Sequence, residues 1–100
     1  MDEFLHDEPR VPRTDEEKTA IIHRLKRIEG QVRGIQGMVE NDRYCMDILV
    51  QISAIHAALK KVGMTLTERH MKHCLKDAID HGEGDIAIDE LVEVLKYVSK

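Results

Sequence analysis

Two runs of apolar residues, each stepping 4, 3, 4, 3, 4, constrain this chain more than any other feature. The first is Ile21, Leu25, Ile28, Val32, Ile35 and Val39; the second is Ile48, Ile52, Ile55, Leu59, Val62 and Leu66. Steps of three and four place every member of a run on one stripe of an α-helix, the heptad seam of helices that pack side by side. The seams predict a first helix over roughly 14–40 and a second over roughly 42–81. "TDEEK" opens the first: Thr14 and Glu17 have capping-box spacing, and three acids sit where the helix dipole favours them. "ENDR" (Glu40–Arg43) breaks it, and Asn41 or Asp42 can cap the next. The helical pattern then runs on through Met71, Leu75 and Ile79 until "HGEGD" stops it. Gly63 lies inside the second helix, but an internal glycine costs only about 1 kcal/mol and no proline supports a break there. A short third helix over 86–98 carries Ile88, Leu91, Leu95 and Val98.

One hundred residues make one domain at most. Two long helices and a short one cannot enclose a core alone. The expected architecture is all-α: a three-helix protomer whose antiparallel helix hairpin pairs with a second copy into a four-helix bundle. Residues 1–13 read as a disordered acidic tail and residues 14–100 as a single all-helical domain. The net charge of −4 is concentrated in residues 1–17, which hold seven acids and two bases; the other residues hold thirteen bases and twelve acids. Such a chain is not marked as a nucleic-acid binder by its overall charge, so any such role has to come from a local patch. No apolar run approaches the ~20 residues of a membrane span, and no signal peptide opens the chain. The expected compartment is the cytosol, where thiols stay reduced.

The chain has two cysteines. In "ERHMKHC", His70 and Cys74 stand four residues apart, so they project from one helical face. Cys45, in "DRYCMD", precedes His70 by 25 residues, roughly 37 Å along a continuous helix. One chain cannot bring the three together. An antiparallel second copy can, with its two-fold axis near Leu59 and an equivalent site at each end, as an isologous dimer requires. Two thiolates and one imidazole suit Cu(I), whereas Zn(II) normally takes a fourth ligand. Cysteines also commonly just fill a core, and spacing alone leaves both readings open. His23, His56 and His81 lack partners at ligand spacing and read as surface or helix-cap residues; His6 sits in the tail and His73 points away from Cys74. Met46, Met64 and Met71 read as core filling.

On the first helix Arg24, Arg27 and Gln31 fall at i, i+3 and i+7, about 100° round from the seam. Lys60 and Lys61 add positive charge on the second. Arg and Lys can neutralise phosphates, and Arg and Gln can read base edges. An ordinary solvated face would look the same. Lys26 and Arg33 lie on a different side of the first helix.

With these residues in place, the chain resembles the CsoR/RcnR family of metal-responsive transcriptional repressors, and within it the copper-sensing branch. The likeness covers nearly everything after the tail and is carried by "RLKRIEGQVRGIQGMVENDRYCMDILVQISAIHAALKKV" (Arg24 to Val62) together with the Cys45, His70 and Cys74 set. It implies an all-α homotetramer, a dimer of dimers without a helix-turn-helix. It implies Cu(I) held between protomers by Cys45 of one chain and His70 and Cys74 of the other. Tyr44 and Glu90 match positions that link the metal-bound histidine to the third helix. Arg24, Arg27 and Gln31 match positions that bear on double-stranded operator DNA, and Lys61 matches a basic DNA-linked position. The implied mechanism is repression by the apo protein and release of DNA on Cu(I) binding, with copper-resistance genes as targets. Nickel and cobalt sensors of the family recruit a further histidine near the chain start; the aligned position here is about Arg13, which does not ligate metals. The persulfide-sensing branch lacks the histidine at the position of His70, and the formaldehyde-responsive branch lacks the full set. Two other functions stay in view: a thiol- or persulfide-sensing repressor of the same fold, and a copper-buffering protein with no DNA role. No residue pair suggests enzymatic acid/base or nucleophilic chemistry.

Overall fold

Thr14 starts the first helix as its spacing predicts. In the computed structural model, which describes residues 10–98, the Thr14 hydroxyl accepts from the Glu17 amide at 3.1 Å, and the Glu17 carboxylate accepts from the Thr14 amide at 2.9 Å. Helix α1 then runs Asp15–Glu40. It closes on Asn41, whose side-chain amide donates to the Gly37 carbonyl at 2.9 Å. Asp42 takes up φ 52°, a left-handed conformation that Asp tolerates better than most residues. Asn41 therefore ends the first helix rather than capping the second, and Asp42 belongs to the turn. Helix α2 begins at Cys45, with the Tyr44 carbonyl accepting from the amides of Asp47 and Ile48.

Helix α2 extends Cys45–Arg69 and passes through Gly63 without a break. The expected single helix to residue 81 is modified beyond that point. His70–Leu75 form a π-helical turn, and α3 resumes the α-helix over Lys76–Asp80. Such a turn widens the ladder by one residue, which apolar periodicity does not register. His81 caps α3, and Gly82 turns the chain at φ 77°. Helix α4 spans Gly84–Val98, two residues earlier than the apolar pattern suggested. Gly84 permits this start: a Cβ there would lie 2.9 Å from Ile79 Cγ1 and 3.3 Å from Ile79 Cα.

The chain divides into two compact units. Residues 14–64 form one, with α1 and the first five turns of α2. Its core falls on one column of each heptad seam. Ile28, Ile55 and Val62 are buried, and Ile21, Ile35 and Ile48 half-buried. The second column stays open: Leu25 and Val32 are 41% exposed, Ile52 37% and Leu59 46%. The other unit, residues 10–13 and 65–98 among those described, buries Cys74 and Ala78. The π turn, α3 and α4 pack on one another there. The acidic-tail reading falls mostly on residues 1–9, outside the described residues. All described elements are helical, and none is long and apolar enough to cross a membrane.

Candidate metal centre and nucleic-acid interface

The π turn brings His70 and Cys74 onto the wall of one cavity of about 390 Å³. Cys74 is 4% exposed and His70 half-buried. Glu90 of α4 lines the same cavity, as do Arg13, Arg69 and Leu66. The Arg69 guanidinium organises the region. Its Nη1 donates to the Val11 carbonyl at 2.5 Å and lies 3.5 Å from Cys74 Sγ; its Nη2 donates to the Pro12 carbonyl at 2.9 Å. The Cys74 thiol is itself 3.9 Å from the Val11 carbonyl. Arg10 fastens the same segment, donating from Nε to Asp77 at 3.3 Å and from Nη1 to Glu83 at 3.0 Å. The hydrogen bond to Glu83 leads the effects that raise the Arg10 pKa.

These two arginines escape a reading of the residues alone. Arg69 directly precedes His70, but a lone cation on a helix reads as solvated, and Arg10 lies in a stretch that composition marks as tail. The carbonyls of Val11 and Pro12 carry no side-chain signal at all. His81 answers the helix-cap expectation: its Nδ1 donates to the Asp77 carbonyl at 2.7 Å and stands 3.4 Å from the Asp77 carboxylate. The first of these bonds, then the carboxylate charge, raises the imidazole pKa above its ordinary 6.5.

Cys45 and Tyr44 belong to the other unit, where both are exposed, Cys45 as the first residue of α2. Among the described residues no three His, Cys, Asp or Glu side chains converge. The structure thus pairs His70 with Cys74 and sets Glu90 on their cavity. It adds neither Cys45 nor Tyr44 to them. A thiol and an imidazole on one cavity wall offer two soft donors, a set that a second thiolate could complete for Cu(I).

The unit of residues 14–64 carries a shallow cleft of about 360 Å³ between α1 and α2. Arg24, Arg27 and Gln31 line it from α1 and Lys61 from α2, above Ile28, Ala58 and Val62. Four of the five residues singled out for DNA therefore share one surface. Lys60 is exposed but off this wall. Neither Arg24 nor Arg27 has a hydrogen bond or ion pair among the described residues, in contrast to Arg33, which reaches Glu29 at 3.4 Å. Unpaired guanidiniums beside an amide present charge and directional donors and acceptors together, the mixture that phosphates and base edges require.

Residues 17–97 match the family model described as metal-sensitive transcriptional repressor. The copper-sensing transcriptional repressor CsoR of Bacillus subtilis (strain 168) is 60% identical over 88 residues, covering 88% of this chain and 87% of that one. The copper-sensing transcriptional repressor RicR of Mycobacterium tuberculosis (strain ATCC 25618 / H37Rv) is 46% identical over 85% of this chain and 88% of its own. Among solved structures, the copper-sensing repressor CsoR with Cu(I) from Geobacillus thermodenitrificans NG80-2 superposes with a TM-score of 0.89 at 56% identity, covering 96% of this chain and 100% of that one. The nickel-responsive transcriptional regulator InrS gives 0.71 at 30% identity, over 93% of this chain and 99% of its own. Matched by the family model over four-fifths of its length, and 60% identical to one such repressor, this helical chain belongs to the metal-sensitive transcriptional repressors.

Proposed function

We propose that this chain is a Cu(I)-responsive transcriptional repressor that acts as a homotetramer, a dimer of dimers. One observation carries the metal assignment. His70 and Cys74 share a cavity wall, while the other cysteine opens α2, with the 25 residues of that helix before His70. The third ligand is therefore Cys45 of an antiparallel partner, and each dimer has two sites. Two thiolates and one imidazole fit Cu(I) by softness and by number. Arg13, at the place where nickel and cobalt sensors supply a histidine, offers no fourth ligand. The half-exposed seam column of Leu25, Val32, Ile52 and Leu59 supports the pairing, since it is the apolar surface that a second hairpin would cover. Glu90, on the same cavity as His70, orients the imidazole, with Tyr44 contributing from the partner chain.

Operator DNA lies against the Arg24, Arg27, Gln31 and Lys61 cleft, with Lys60 beside it. A single subunit carries a small patch; a tetramer repeats it four times, so a near-neutral body can hold a duplex. When bound, Cu(I) supplies a crosslink between protomers. Its preference for the conformation with weaker DNA affinity derepresses copper-resistance genes, and linkage requires DNA to weaken Cu(I) binding by the same factor. A sensor using thiol chemistry alone has no need of His70, and a copper buffer none of the cationic cleft. The test is a titration of a duplex from the chain's own promoter region, anaerobic and reducing, with and without Cu(I). Tight binding by apo protein and release by stoichiometric Cu(I) is the expected result. Release by persulfide but not Cu(I) would overturn the metal assignment.

A further inference from the structure

Three guanidiniums line the cavity that holds His70 and Cys74, and two of them are committed. Arg10 is paired with Asp77 and Glu83, and Arg69 donates to the carbonyls of Val11 and Pro12. Arg13 is different. It is half-buried on the cavity wall, yet it makes no hydrogen bond or ion pair among the described residues. A partly buried cation loses hydration, and no bond or ion pair among the described residues repays it, so its position calls for an account.

We infer that Arg13 is a specificity-determining residue, whose charge favours Cu(I) over divalent metals at the Cys45, His70 and Cys74 site. The inference rests on the assignment of that site under the proposed function. Two thiolates, one neutral imidazole and Cu(I) sum to a charge of −1. The same donors with Zn(II), Ni(II) or Co(II) sum to zero. Whatever protons the free site carries, the two complexes differ by one unit of charge, and a guanidinium on the cavity wall favours the anionic one. Partial burial protects this interaction from the screening that weakens surface charges. Arg13 acts here without touching the metal, through the field it places on the site.

The test compares full-length wild type with Arg13→Gln and Arg13→Lys. Gln removes the charge while keeping much of the length and supplying no strong metal ligand; Lys keeps the charge. Cu(I) and Zn(II) dissociation constants are measured separately by competition with chelators of known affinity, and circular dichroism melting establishes that each variant folds. In Arg13→Gln the preference for Cu(I) over Zn(II) should fall by about tenfold, while Arg13→Lys stays within about twofold of wild type, the sizes expected for one charge removed or kept at partial burial. A wild-type preference in Arg13→Gln overturns the inference, as does an equal fall in both variants, which would point to packing rather than charge. Cu(I) binding by wild type that survives Cys74→Ala would remove the site itself, and with it both this inference and the proposed function.

Discussion

At the scale of single residues, Cys45 and Cys74 share a chemistry but not a setting. Cys74 is enclosed with His70 and under the Arg69 guanidinium, whereas Cys45 stands open at a helix start. An exposed thiol contributes little to stability, so Cys45→Ala should fold and bind operator DNA as wild type does, yet fail to release it when Cu(I) is added. A gel-shift titration with and without Cu(I) checks this; release at wild-type copper would remove Cys45 from the ligand set. Arg24 and Gln31 have the opposite profile. Arg24→Ala or Gln31→Ala should weaken operator binding and leave Cu(I) stoichiometry intact. The arginine change should also lower the salt dependence of binding, by roughly one unit of slope for each phosphate that the assembly no longer neutralises. Affinities measured across a salt series decide it, and unchanged binding in both variants would move the DNA surface elsewhere.

At the scale of elements, the junctions around the π turn carry a close backbone approach and much of the polar bonding. Gly84 lets α4 begin against Ile79, where a Cβ would press on both the side chain and the backbone. Gly84→Ala should cost about 1–3 kcal/mol, read as a lower urea midpoint at fixed protein concentration. His81 closes α3, and its raised pKa sets the sign of a pH effect. A group whose folded pKa is raised stabilises fully below its unfolded value of 6.5 and loses that contribution as pH rises through the folded value. His81→Gln should therefore lose more stability at about pH 5.5 than at about pH 9, and an equal loss at both would deny the charge any role. Glu90 reaches the cavity from α4. Glu90→Ala should retain Cu(I) but couple it less well to DNA release, since the imidazole would be held without its link to that helix. Full copper-driven release in this variant would count against the relay.

At the scale of the whole molecule, each heptad seam is half used by one chain. One column packs within the hairpin, and the other remains open to solvent. In the proposed assembly a second copy covers that open column, and the metal ligands are divided between chains without further demands on the fold. Mixing two variants tests that division. Cys45→Ala and Cys74→Ala homodimers each have both sites damaged. In a mixed dimer one site receives both substitutions, while the other has intact Cys45 from one chain and intact His70 and Cys74 from its partner. Unfolding and refolding the two together should restore tight Cu(I) binding at one site per mixed dimer, measured against a competing chelator. A mixture no better than its parents would place all the ligands within one chain.

The helices were legible because heptad spacing is a local property. A stripe of apolar side chains at 4, 3, 4 steps has one low-energy reading, and Thr14 with Glu17 marks its start whatever the rest of the chain does. The His70/Cys74 pair was legible for the same reason, as four residues on a helix are neighbours in an α-turn or a π-turn alike. The turn's own form was not, because a π insertion changes the backbone ladder without altering which side chains are apolar. Nor did the residues announce that Asn41 would end α1 instead of starting α2, since its side chain can cap either way and the turn geometry at Asp42 decides. The bonds of Arg10 and Arg69, and the lack of a partner for Arg13 among the described residues, depend on residues about 60 or more positions apart meeting on one cavity wall. Helical periodicity holds that kind of information only within a turn or two. Charges brought together across the chain acquire partners, or fail to, through packing alone.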